Sequence, residues 1–280
     1  MTGPATVYTP LLVERVALRG AGAGLRVTRT GMGPRRAKAA RSATGPVLVA
    51  GVGGGLAPGL AAGDLVVASE VGGEMGGDGV VVSPSAPLLA GALRRLGLRA
   101  HVGPVLSTRR LWKGAADAAA VDMESAWLAP DPGTPFAVVR AVVDTPDHPL
   151  WSFRTPARGV RALRALRRAV PALRWWAAAT GARQVLLADP RPFHPGECDL
   201  VLVAGRSDAG RLVEVAGREG VPAYQVDDVG QVDLRWLAGA ARLGVVTAET
   251  PSPPLVGDLV HCLSGLGPVT VRSPLPREVT

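Results

Sequence analysis

Two acids flank a methionine in AVDMESAWLA, at Asp122, Met123 and Glu124, and a third acid, Asp144, closes the apolar run PFAVVRAVVD that follows. Carboxylates delivered from neighbouring elements suit glycosidic-bond chemistry, in which one group holds a sugar and another gives a proton. The stretch from Phe136 to Val143 reads as a buried strand that ends on Asp144. Ligands of open α/β sheets gather at the carboxyl ends of strands. A carboxyl partly desolvated there has a raised pKa and can hold a proton for a leaving group. The competing reading makes Asp144 a helix N-cap or a salt-bridge partner of Arg140, and Glu124 a surface acid. Met123 and the small residues around Glu124 favour a packed setting.

These acids need a scaffold. TVYTPLLVE reads as a strand ending at Glu14 and followed by a short helix. LRVTRTG is a second strand, and Pro34 in GMGPRRAKAARSA suits a first helical turn. The apolar strand from Val47 to Ala50 opens into Gly51, Gly53, Gly54 and Gly55, a turn that lets a ligand approach backbone amides at a helix start. It is not a dinucleotide fingerprint, because Leu56 stands where the third glycine belongs. DLVVASE and HVGPVLST are further strands, and SAPLLAGALRRLGL between them is an amphipathic helix with Leu88, Leu89, Leu93 and Leu96 on one face. The alternation predicts a three-layer αβα domain with a largely parallel sheet over residues 1–178.

After Trp176 the composition shifts, and a second strand–helix series over residues 183–280 predicts a smaller α/β, Rossmann-like domain. Its strands are QVLLADP, CDLVLVAG, PAYQVD, LGVVTA and PVTVR; its helices are GRLVEVAGREG, LRWLAGA and PPLVGDLVHCLSG. Cys198 accordingly falls in a strand and Cys262 in a helix.

Composition narrows the classes. Every apolar run breaks well before the roughly 18 residues of a membrane helix, and the first residues lack a basic-then-apolar leader. A cytoplasmic protein with no integral membrane segment is expected. Two cysteines cannot build a disulfide framework. The net charge is +8, but lysine occurs only at Lys38 and Lys113, and the arginine run from Arg154 to Arg168 follows helical spacing, as a solvated face does. Aromatics are too few for a base-stacking platform, so no nucleic-acid partner is expected.

The ordered set TPLLVE, TGMGPRRA, VLVAGVGGGLAPGLAAGDLVVASE, VDMESAW and FAVVRAVVD resembles the nucleoside phosphorylase and nucleosidase superfamily, and most of all its hopanoid-associated and methylthioadenosine-nucleosidase-like branch. The likeness covers roughly the first 175 residues. It implies an enzyme cleaving a purine N-ribosyl bond, a homo-oligomeric assembly and a nucleoside as partner. It further implies that Glu124 binds the ribose hydroxyls, Met123 packs on the sugar, Asp144 protonates the purine and Glu14 positions the attacking group, while Gly51 to Gly55 line the base and nucleophile pocket. No cofactor is implied; the attacking group is water or phosphate, which decides hydrolysis or phosphorolysis, and phosphate would be a co-substrate. Pro10 replaces the glycine that phosphorylases use for phosphate; Arg35, Arg36 and Arg109 are candidates for that role. The short loop SEVGGEMGGDG implies a pocket open on one side, suited to a large or apolar group such as an adenosylated lipid. The alternative is a nucleoside-binding or scaffold protein without turnover.

The second half resembles hydroxymethylbutenyl diphosphate reductase, in VLLADPRPFHPG and from CDLVLVAG to TPSPP. That family holds an iron–sulfur cluster with three cysteines. Here His194 stands in place of the first, the stretch carrying the second is absent between Gly196 and Glu197, and the third motif is gone. Cluster binding and reductase activity are therefore not expected. Ser207 and Ser252 match diphosphate-binding serines, with Asp208 and Glu249 adding opposing negative charge. The resemblance implies a remnant that packs, dimerises or binds weakly.

Overall fold

Proline cannot donate to a strand ladder, and Pro10 ends the first strand. The computed structural model describes residues 4–20, 22, 24–73, 79–110, 117–146, 155–188, 194–206, 208–247 and 254–272. In it β1 (Ala5–Thr9) gives way to α1 (Leu12–Ala17), then β2 (Leu25–Arg29), α2 (Pro34–Ala40), β3 (Val47–Gly55), β4 (Leu65–Gly73) and β5 (Val80–Val82). Next come α3 (Ala86–Arg95), β6 (Ala100–Ser107), β7 (Ala120–Asp122), α4 (Ser125–Leu128), β8 (Phe136–Asp144) and the long α5 (Thr155–Ala179). The second series is β9 (Arg183–Ala188), β10 (Leu200–Ala204), α6 (Ala209–Arg218), β11 (Ala223–Val226), β12 (Arg242–Val246), α7 (Pro254–Ser264) and β13 (Val269–Arg272).

The first sheet runs β2-β1-β3-β7-β6-β4-β5, with β8 bridging β3 and β4. Parallel pairs dominate, as the strand–helix alternation predicts. Two antiparallel contacts, β4 with β8 and β3 with β7, complete a circuit β3–β8–β4–β6–β7 that returns to β3. Adjacent residues of a strand face opposite sides, and both faces are covered. Leu48, Val67 and Val139 join the core of α3 and α5, whereas Val49, Val66 and Val138 pack with Ala37 of α2 and Trp127 and Leu128 of α4. The result is three layers, αβα.

Four local expectations change. Glu14 lies inside α1 rather than at a strand end, because Pro10 stops β1 four residues earlier. The glycines from Gly51 to Gly55 continue β3 instead of turning into a helix. LRWLAGA folds as tight turns instead of a helix: Gly239 takes φ +81° and ends it after one turn, too short to nucleate. Cys198, read as part of a strand, follows a 3-10 turn (Pro195–Glu197) two residues before β10.

The second sheet, β11-β10-β12-β9-β13, is parallel throughout. It is not packed separately. Leu88, Leu89 and Leu93 of α3 and Leu173 and Trp176 of α5 belong to the same core as Val185, Leu200, Leu243 and Leu263. The backbones meet where α3 crosses the turn Val229–Gln231: a Cβ on Gly91 would stand 2.1 Å from the Gly230 carbonyl oxygen. Arg95 seals this crossing, donating to the carbonyls of Gly230 (2.9 Å) and Val232 (2.8 Å). Because backbone cannot step aside as a side chain can, Gly91→Ala is expected to destabilise the protein by about 3 kcal/mol, the upper part of the overpacking range. Thermal melts check this, and a single transition lowered as a whole is the expected form.

Candidate active site

The site is built where β3 changes partners. Its first residues, Val47 to Val49, pair with β1; Gly54 and Gly55 pair with β7 on the same edge. Between them that edge has no strand neighbour, and an unpaired buried amide is costly. Glu14 fills the gap: its Oε1 accepts from Val52 N at 2.8 Å. Its Oε2 accepts from Thr9 Oγ1 (2.9 Å) and from Leu11 N (2.6 Å), the latter closing the first turn of α1. A buried carboxylate held by three donors is fixed in position and in aim.

The glycines make this approach physically possible. A Cβ on Gly51 would lie 2.7 Å from both Glu14 Oε1 and Arg140 Nη1, and one on Gly53 would lie 2.9 Å from the Val121 carbonyl. Glycine is needed here for closeness, not for turning. Gly51→Ala is expected to cost about 1–3 kcal/mol and to displace Glu14; melting temperature and nucleoside turnover together check it.

Arg140 is the hub of the buried charges. It is completely inaccessible, yet every other residue of its strand before the terminal Asp144 is Val, Ala or Phe. Its Nε and Nη2 each lie 2.7 Å from Asp122 Oδ2, Nη2 donates to Ser125 Oγ (3.0 Å), and Glu124 Oε2 is 3.5 Å away. Asp122 also accepts from Ser107 Oγ (2.6 Å) and from the amides of Glu124 and Ser125. Burial alone would raise the Asp122 pKa, but the guanidinium and these hydrogen bonds outweigh it and hold Asp122 below the usual carboxylate range. Glu124 is different. Burial pushes its pKa up, Arg140 only partly offsets that, and Asp122 adds repulsion. Its Oε1 accepts from Gly33 N at 2.9 Å, at the start of α2.

Asp144 reaches the same space through a bulge. The β3–β8 register jumps from Gly53 opposite Val142 to Gly54 opposite Asp144, skipping Val143. Bulges re-aim side chains, and Val143 and Asp144, although consecutive, both line one cavity of about 230 Å³. Pro10, Leu11, Glu14, Met32, Met123 and Glu124 share that lining. Asp144 is half-buried, and desolvation raises its pKa, moderated by its own amide and by Arg158.

The residues singled out from sequence thus converge: Glu14, Met123, Glu124 and Asp144 with Gly53 and Gly54 on one cavity, and Gly51 and Gly55 on the strand behind it. Asp144 does not pair with Arg140, whose partners are Asp122 and Glu124. Arg140, Ser107, Ser125 and Met32 were not anticipated as site residues. A lone arginine inside an apolar strand was the available signal for Arg140. Ser207 and Ser252 lie outside the described residues, as does Glu249.

A ring-closed αβα sheet with carboxylates at the strand ends defines a nucleoside phosphorylase-like fold in the N-terminal part of the chain. Solved structures with this fold include 5'-methylthioadenosine/S-adenosyl homocysteine nucleosidase from Campylobacter jejuni, at TM-score 0.52 and 14% identity over 61% of this chain and 99% of that one. A futalosine hydrolase mutant from Helicobacter pylori matches at TM-score 0.52 and 13% identity, over 61% and 98%. At such identities the likeness is one of fold. No family model matches the chain. By sequence, a segment is 40% identical over 79 residues to 4-hydroxy-3-methylbut-2-enyl diphosphate reductase 2 of Mycobacterium bovis, covering 27% of this chain and 24% of that protein. The Bordetella pertussis reductase is 41% identical over 80 residues, 28% and 25%. The chain therefore spans about a quarter of the length of the curated relatives it matches.

Iron–sulfur clusters are held by thiolates. This chain has two cysteines, both buried, and burial raises both thiols, Cys262 to about 11. These residues do not fit a cluster. His194 is exposed beside the 3-10 turn.

Proposed function

We propose that the first half cleaves the N-ribosyl bond of a purine nucleoside and that water is the acceptor. The observation that carries this reading is one cavity bordered by a carboxyl with a raised pKa, Asp144, a second carboxyl with a raised pKa, Glu124, and the rigidly held Glu14. Asp144, whose pKa desolvation raises, gives its proton to the departing purine as the bond to C1′ breaks. Glu124 accepts the ribose hydroxyls, with Met123 against the sugar. Positive charge developing on the sugar is met by the acidic lining. Glu14 orients a water toward C1′, takes its proton and releases it to solvent, which returns one to Asp144, so base, sugar and enzyme all balance.

The choice of water rests on charge. Among the described residues lining the cavity every ionisable side chain is an acid. Arg140, behind them, is already engaged by Asp122, Glu124 and Ser125. A phosphate dianion would enter against several carboxylates, with no cation among the described lining residues to meet it. The apolar rim of Pro10, Leu11, Met32 and Val143 suits a nucleoside with an apolar 5′ group, including an adenosylated lipid.

The test is incubation with adenosine, methylthioadenosine and an adenosylated lipid, each with and without phosphate. Free adenine and free sugar at a phosphate-independent rate are expected. A sugar phosphate product, or a rate that rises with phosphate, would sink the hydrolytic reading; no adenine from any nucleoside would sink cleavage itself.

A further inference from the structure

The N-terminal segment is strongly cationic. Residues 1–46 hold eight Lys and Arg side chains, from Arg15 to Arg41, and one acid, Glu14, a net of +7 against +8 for the whole chain. Glu14 is buried in the site, so the ionic surface of this segment is cationic throughout. Arg41 pairs with Asp131; Arg15, Arg19, Arg35 and Arg36 form no ion pair among the described residues.

Exposed apolar side chains sit in the middle of this surface. Leu12 and Val13 are 53% exposed, Val16 44% and Met32 56%. At 3.6 residues per turn, positions 12, 13 and 16 form one outward stripe of α1 while Glu14 points the other way. Met32 joins the stripe: Gly31 N donates to the Pro10 carbonyl at 3.1 Å, setting residue 32 beside the start of α1. Arg15 borders the stripe on α1 itself. Arg36 folds back to the same place, its Cδ 2.7 Å from where a Cβ on Gly31 would stand. Leu11 and Met32 are at once on the rim of the cavity and at the edge of this patch.

Each candidate partner makes a different demand. A nucleic acid uses cations and stacking aromatics, and the exposed centre here is aliphatic. A second copy packed two-fold through this face would set cationic rims against each other. An anionic bilayer satisfies both parts: aliphatic side chains enter the boundary between headgroups and acyl chains, and arginines meet lipid phosphates. We infer that the outward face of α1, with Met32 and the surrounding arginines, docks the protein on an anionic membrane surface and turns the cavity mouth toward the lipid. No described helix is long and apolar enough to cross a membrane, so the contact is peripheral.

The test is co-sedimentation of the full chain with vesicles of phosphatidylglycerol and phosphatidylcholine in equal parts, beside vesicles of phosphatidylcholine alone. Binding to the anionic vesicles is expected, weakened at least about tenfold on neutral vesicles and by high salt. The double variant Leu12→Glu, Val13→Glu should melt like the parent, since both side chains are exposed, and lose binding by about tenfold or more. If it melts lower, the single variant Val16→Glu takes its place. No binding to anionic vesicles, or equal binding by the variant, overturns the inference. So does an RNA homopolymer that binds parent and variant alike and displaces the vesicles, or a dimer that the variant dissociates. Vesicle binding needs no turnover, so its failure and the failure of nucleoside cleavage are separate results.

Discussion

Asp144→Asn is expected to lower kcat for nucleoside cleavage by about 10²–10⁴-fold, the range of a lost general acid, while KM changes little. The asparagine keeps the shape of the protonated acid and still donates a hydrogen bond, but it has no proton to transfer. Stability should move the other way or not at all. Burial raises the Asp144 pKa above its unfolded value. Its contribution to stability is therefore fully present below the unfolded pKa and is lost as pH rises through the folded one. A neutral amide removes that loss, so the variant should melt at or slightly above the parent at neutral pH. The parent's activity should likewise fall as pH rises through the Asp144 pKa. A variant that loses activity only in proportion to lost folded protein would make Asp144 structural. One that keeps full kcat would remove it from the chemistry.

The contrast between what sequence shows and what it hides follows from range. Strands built of Val, Leu and Ala, such as β3, β8 and β10, announce themselves because each is a local apolar run, and the acids at their ends come with them. Glycine is ambiguous. In Gly51–Gly55 the same residues permit a turn or a close approach, and only the positions of Glu14, Arg140 and Val121 decide for the second. Glu14 reads as a strand terminus if the apolar run continues past Pro10, but Pro10 breaks the ladder and β1 ends at Thr9. The closure of β3 through β8, β4, β6 and β7 depends on antiparallel contacts between residues far apart in sequence, which no local pattern encodes.

The bulge is the clearest case. Val142, Val143 and Asp144 read as an ordinary strand end, with alternate side chains on opposite faces. The skipped residue puts Val143 and Asp144 on one cavity. That single irregularity brings the acid of β8 to the same space as Glu124, which leaves β7, and Glu14, which leaves α1. The candidate site rests on two departures from regular structure, the bulge in β8 and the gap along β3, and the second is filled by Glu14, which sequence spacing alone does not match to Val52.

Arg140→Met should destabilise the protein by about 3–5 kcal/mol, the cost of leaving a buried partner charge uncompensated, or a fall in Tm on the order of 10 °C for a chain of this size. The side chains are similar in length, so volume is nearly kept and the loss reports charge. The pH dependence identifies the cause. In the parent, Asp122 has a depressed pKa, so its contribution is present above the unfolded value and lost as pH falls through the folded one; Glu124, raised, contributes in the opposite sense. Without the guanidinium both acids lose their main attraction and both pKa values rise. The variant then gains stability as pH falls through the carboxylate range, and its gap to the parent narrows. Adding Asp122→Asn to Arg140→Met should recover part of the loss at neutral pH, because the two sites are coupled by direct contact. Arg140→Lys keeps the charge but cannot reach Asp122, Ser125 and Glu124 together, so it should fall between. A gap between Arg140→Met and the parent that stays constant from acid to neutral pH would show that packing, not the buried carboxylates, is what Arg140 supports.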